Sequence, residues 1–291
     1  MRMIRIILIL AAISSLFITV FAVAIYGLDV DNTATRAFNK SFPVLPAAIV
    51  GGRVVFISEV EDRLEMYDHA VSSQSALARY DPAAVRHQIL DNLIEQEIIA
   101  GVFRVAGSTG FHPSFDEYAD HILSGFEKTP QEALGISERE FLENIVYPDF
   151  QERTLRVIFL SGSRDSSEYA KAQTIKAELD GGQDFTEAVR LYSEDEDSKY
   201  LGGDLGFFSR EMVSPWLADA AFNLSASSTS DILVSPEGYH ILRLASRDPG
   251  PPERVQLQHI FIRGPDFEKY MEKQRKNYRV YIFASSHFPS P

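Results

Sequence analysis

The feature that most constrains this chain is the run from Ile6 to Tyr26, which carries no charged residue and consists of Ile, Leu, Val, Ala and Phe with a few small hydroxyl residues. At 1.5 Å rise per residue, about 20 such residues cross a ~30 Å hydrocarbon core. Arg2 and Arg5 precede the run, and Asp29 and Asp31 follow it. That asymmetry leaves the N-terminus in the cytoplasm and everything from Leu28 outside, a single-pass arrangement in a cell membrane. A cleaved signal peptide, cut after Ala22-Val23-Ala24, is the competing reading. The run is longer than a usual signal core, which favours a retained anchor over residues 1–27. Residues 28–46, polar and ending in Pro43 and Pro46, read as a tether.

What lies beyond must be globular. The 291 residues are 45% apolar, enough for real cores. With 28 Lys+Arg against 41 Asp+Glu and no basic cluster, phosphate backbones find no footing, so no nucleic-acid partner is expected. The absence of cysteine removes disulfides, thiolate zinc sites, iron–sulfur clusters and thiol nucleophiles. No His pair has metal spacing, and a calcium-loop frame begun at Asp195 fails, with Lys199 at its fifth position and no Gly at its sixth. Gly202, Gly203 and Gly206 lack the Lys-Ser/Thr of a phosphate loop, and no Ser sits in a Gly-x-Ser-x-Gly elbow. No metal and no cofactor are expected.

Local signals divide the rest. Ala47–Val55 reads as two short strands around Gly51-Gly52. Helix starts follow at Ser58/Glu61, ahead of Val60, Leu64, Tyr67 and Val71, at Asp81-Pro82, at Ser114/Glu117 and at Ser137/Glu140. Residues 47–160 therefore read as a small helical module. From Pro148 the pattern changes to short mixed elements: helices at 169–179, 185–192 and 218–222, and strands at 231–234, 239–244 and 255–262. This is an α+β domain over 161–263. A helix at 267–278 and a strand at 279–283 fill residues 264–291.

Within that domain, Tyr192-Ser193-Glu194-Asp195, Gly202-Gly203-Asp204-Leu205-Gly206-Phe207-Phe208, Met212, Trp216 and Gly238-Tyr239-His240-Ile241-Leu242 occur in an order that resembles the parvulin family of peptidyl-prolyl cis/trans isomerases. The resemblance implies an antiparallel sheet with helices. Asp195 falls where the family places Cys or Asp, and His240 on the second of its two active-site histidines. Leu205, Phe208, Met212 and Trp216 fall on the apolar proline pocket, narrowed by Trp216 where Phe is usual. The anchor and helical module resemble the start of exported bacterial chaperone–isomerases of the SurA and PrsA kind. The implied protein is a membrane-anchored foldase whose clients are unfolded or Pro-containing polypeptides, or the same architecture as an inactive holdase.

One family residue is out of place. The opening strand of a parvulin carries the first histidine, and at Leu155–Leu160 its position is held by Val157. Gln258-His259-Ile260-Phe261-Ile262 resembles that strand better. A permuted domain accounts for this: the segment before Ser161 is then helical, and the strand around His259 returns by a hairpin to the central place. True loss of the residue is the alternative. On the permuted reading the catalytic set is Asp195, His240 and His259.

Overall fold

The structure, a computed structural model, describes residues 44–73, 81–107 and 113–283. The anchor expected over 1–27 and the tether up to residue 43 lie outside the described residues. Among the described residues no helix is long and apolar enough to cross a membrane.

The chain forms two compact units whose bounds cut across the expected 47–160 and 161–263. Of the described residues, the first gathers those up to Gly101 with 128–138 and 274–283; the second holds those of 102–127 and 139–273. In the first, β1 (Pro46–Val50) and β2 (Arg53–Phe56) form the hairpin read from Gly51-Gly52. A third strand, β7 (Val280–Ile282), pairs antiparallel with β1, so the sheet runs β2-β1-β7. The strand Val280–Ile282 is thus part of this unit rather than an appendage.

Helix α1 (Ile57–Ser73) starts one residue before the Ser58 cap inferred from sequence, and the Glu59 carboxylate accepts from the Phe56 N–H at 2.8 Å. Val60 and Leu64 are buried as the spacing requires, while Tyr67 is exposed. Helix α2 (Pro82–Ala106) begins at Asp81-Pro82, with Asp81 Oδ1 accepting from the Ala83 N–H at 3.0 Å. Arg86 on α2 is buried and paired with Glu61 on α1 at 2.8 Å, which ties the two helices. A short helix, α4 (Pro130–Leu134), is capped by Thr129.

The second unit carries α3 (Phe115–Ser124), α5 (Glu138–Phe141), a π-helical turn (Leu142–Val146) and α6 (Tyr147–Gly162) ahead of the expected α+β pattern. Ser114 and Glu117 form the reciprocal cap predicted for α3: Ser114 Oγ accepts from the Glu117 N–H at 3.2 Å, and Glu117 accepts from the Ser114 N–H at 2.8 Å. Ser114→Ala is expected to lower stability by about 1 kcal/mol, read as a shift in urea midpoint.

Then follow α7 (Ser167–Asp180), α8 (Phe185–Tyr192), α9 (Glu196–Lys199), β3 (Asp204–Ser209), α10 (Pro215–Asn223), β4 (Leu233–Val234), β5 (Gly238–Asp248), β6 (Arg254–Arg263) and α11 (Phe267–Arg275). Leu155–Leu160 lies inside α6 and is not a strand. The sheet is antiparallel in the order β3-β6-β5-β4, so β6 occupies an inner place, paired to β5 by the hairpin across Pro249–Pro252. β3, hidden in sequence behind its glycines, is the far neighbour of β6.

Alternation along β5 and β6 sends side chains to two faces. Tyr239, Ile241, Ile260 and Ile262 pack against Ala172, Ile175, Phe185, Ala188 and Val189 of α7 and α8. Leu242, Leu244, Val255 and Leu257 pack against Val213 and against Leu217, Ala218 and Ala221 of α10. His240 and His259 fall on the second face, because each stands two residues from a member of that cluster on its own strand.

Candidate active site

The two imidazoles arrive from neighbouring strands. His240 pairs with Phe261 and Leu242 with His259, so the rings are diagonal neighbours on one face, 5.6 Å between centroids. Phe261 stands beside both, at 5.0 and 6.3 Å, and completes an aromatic row.

His259 Nε2 lies 2.8 Å from Asp195 Oδ2 and 3.1 Å from Ser198 Oγ. Ser198 donates its hydroxyl hydrogen to Asp195, so His259 carries its hydrogen on Nε2 and donates to the carboxylate. Asp195 also caps α9, accepting from the Ser198 N–H at 3.3 Å. Burial pushes the Asp195 carboxyl up, but the hydrogen bonds from Ser198 and His259 outweigh it and hold the pKa below the usual carboxylate value.

His240 is only 7% exposed. Its Nε2 is 2.9 Å from Ser235 Oγ, and Ser235 gives its own hydrogen to Glu237 at 2.6 Å. His240 therefore donates from Nε2, and its Nδ1 is buried with no hydrogen-bond partner among the described residues. Burial, reinforced by neighbouring His259 and opposed only by Asp195, drives the His240 pKa down to about 3, so the ring is neutral at physiological pH.

Next to the histidines lies a cavity of about 420 Å³ lined by Leu205, Phe208, Met212, Trp216, Leu242 and Leu257, with His240 and His259 in its wall. All four residues read as a proline pocket thus meet in one place. They do not play one part there. Met212 is 60% exposed at the rim, whereas Trp216 is 5% exposed and packs edge-on against Tyr118 of α3 at 5.3 Å. Asp195 reaches the cavity only through His259.

Residues 158–246 match the family model of the rotamases, the PPIC-type PPIase domain. That segment is a parvulin-type domain. It contains Asp195, the pocket residues and His240, and it stops short of β6 and His259. Foldase protein PrsA 2 of Bacillus anthracis is 40% identical over 81 residues, 28% of this chain and 28% of that protein. Chaperone SurA of Aromatoleum aromaticum is 37% identical over 100 residues, 32% of this chain and 23% of that protein. The chain thus matches roughly a quarter of the length of these relatives. A crystal structure of peptidylprolyl isomerase (PrsA) from Bacillus anthracis aligns with 70% of this chain and 90% of its own, at 20% identity and a TM-score of 0.25.

Four residues of the site have no role assigned from sequence. Ser198 follows Asp195 by three residues, the spacing of a helix cap, and that was the available signal. Ser235 and Glu237 sit in the turn before β5 and gave none. Ser193, buried, accepts from the Phe261 N–H at 3.2 Å and so pins β6 to the end of α8.

Proposed function

We propose that the parvulin-type domain is an active peptidyl-prolyl cis/trans isomerase and that the protein is a membrane-anchored, exported foldase for unfolded or Pro-containing clients. One observation carries this reading: an open apolar cavity of a size for a proline ring and its neighbours borders two buried imidazoles on the same face of the sheet. Rotation about an X–Pro bond crosses a barrier of about 18–20 kcal/mol, although its two end states are nearly balanced. At the twisted midpoint amide resonance is lost and charge separation in the bond falls. A water-poor cavity that grips the ring therefore favours the midpoint over either planar form, without nucleophile, metal or cofactor. A thousandfold acceleration requires only about 4 kcal/mol of such preference.

In this reading Leu205, Phe208 and Met212 receive the ring, while Trp216 forms the floor. Asp195, Ser198 and Ser235 keep His259 and His240 in fixed orientations, so the wall beside the rotating amide is set before the substrate arrives. The first unit, with β1, α1 and α2, supplies the client-holding module that the resemblance to chaperone–isomerases implies. Export rests on the Ile6–Tyr26 run.

The test is cis/trans exchange in an Ala-Pro peptide, followed by NMR with and without the protein. Acceleration that falls about tenfold or more in Met212→Ala and His259→Leu is the expected result. A second reading, a holdase that grips peptides without turning them, is favoured by Trp216, whose indole takes up room where the family carries a smaller ring. Peptide binding without any exchange enhancement would select it.

A further inference from the structure

The proline cavity adjoins two others. It shares His121, Val213 and Pro215 with a second cavity of about 370 Å³, and Arg153 and Glu237 with a third of about 750 Å³. A residue flanking a proline seated in the central cavity is therefore within reach of a neighbouring cavity. The cleft reads more than the ring.

The charges of the second cavity are one-sided. Its lining carries Glu117, Asp120, Glu211 and Asp219 against the single cation Arg210. Arg210 is bound to Asp219, which leaves three carboxylates without a cation among the lining residues. Glu211 is held ionised, its carboxyl pulled below the usual range by its own backbone N–H and by Ser209. His121 donates from Nδ1 to the Glu211 carbonyl at 2.8 Å, which fixes the turn that presents Glu211. Asp120 is exposed. The third cavity is mixed in charge, with Arg153, Arg156 and Arg263 among five carboxylates in its lining; Arg153 is taken by Asp149 at 3.0 Å and by Glu237 at 3.1 Å, and Arg156 by Glu152 at 2.8 Å.

We propose that the cleft selects proline segments with a Lys or Arg on one side of the proline, the cationic head seated among Glu117, Asp120 and Glu211. The inference rests on the proline-binding reading above and adds its substrate class. A long aliphatic stem suits the passage over Val213 and Pro215, the apolar residues that the two cavities share. The three carboxylates act together on the head group.

The experiment uses Trp216, the one tryptophan of the chain and part of the cavity wall, as the reporter. Its emission is titrated with a neutral Ala-flanked proline peptide and with versions carrying Lys or Glu on either side. Screened pairs at a protein surface are individually weak, so the three together are expected to favour Lys over Glu about five- to tenfold at low salt, on one side of the proline only. In 1 M salt the preference should shrink to within about twofold. The double variant Asp120→Asn/Glu211→Gln should bring the Lys, neutral and Glu peptides to within about twofold of one another. Binding of all peptides with equal affinity, or a preference that survives the double variant, overturns the inference and leaves the proline cavity standing. Failure of every peptide, the neutral one included, to move the emission overturns the proline-binding reading itself and this inference with it.

Discussion

Gly203→Ala is expected to cost about 2–4 kcal/mol of stability and to unseat His259, whereas Gly206→Ala, three residues on, should cost about 1–2 kcal/mol. Both glycines have positive φ, +79° and +85°, so both changes carry the strain of placing a side chain in the left-handed region. Their surroundings differ. A Cβ at Gly203 would stand 2.5 Å from the His259 carbonyl oxygen and 2.9 Å from Val189 Cγ2, while at Gly206 nothing lies within 4 Å. Backbone cannot yield as a flexible side chain can, so the Gly203 substitution has to push β6 away from the turn. It would also strain the bond from the His259 N–H to the Gly203 carbonyl, 2.9 Å in the intact site. The glycine turn is thus a mould for the strand that carries His259. Urea midpoints of the two variants measure the contrast, and the His259 ring resonances report whether its partnership with Asp195 survives. Equal losses at the two positions would mean that the close approach to β6 is not what Gly203 provides.

The same glycines show how much could be read without coordinates. Their order with Tyr192-Ser193, Met212 and the His240 strand marked the domain, and the alternation of residues 255–262 marked β6. These are short-range signals, set by neighbours in the chain. The hairpin from β5 to β6 was legible for that reason, and the inner place of β6 followed from Val157 standing where a histidine was missing. β3 was not legible, because Gly202, Gly203 and Gly206 obscure the strand pattern of a segment whose backbone partners lie in β6.

The bounds of the two units were the least visible. Helix α3 carries a plain cap and an amphipathic face, and nothing local says that Tyr118 packs on Trp216 or that its hydroxyl donates to Asp149. Likewise the apolar β7 declares itself a strand but not a partner of β1. Ser235 was invisible for a related reason: its value lies in a single hydrogen given to Glu237, which obliges His240 to donate.

That obligation has a measurable consequence: stability should fall as pH drops below about 6.5, and His240→Gln should remove about one proton from the dependence. In the unfolded chain the imidazole titrates near 6.5. In the native site, burial first and His259 second bring it to about 3. Between those values the unfolded state binds a proton that the native state refuses. Stability therefore rises with pH through this window, is fully present above it, and is lost as pH falls, by up to about 1.4 kcal/mol per unit. Asp195, also depressed, acts in the same direction but below the usual carboxylate range, outside the interval from pH 6.5 to 4.5. Over that interval His240 should account for about 2 kcal/mol. Gln preserves an N–H for Ser235 and cannot titrate, so the difference between wild type and variant in urea unfolding at pH 4.5, 5.5 and 6.5 isolates the imidazole. Parallel curves would show that His240 is protonated in the folded protein. If the curves diverge as expected, the ring beside the proline cavity is a neutral dipole from pH 5 to 8. Its part in turning a peptide bond then follows from fixed orientation, and the isomerisation rate should owe no pH dependence to it in that range.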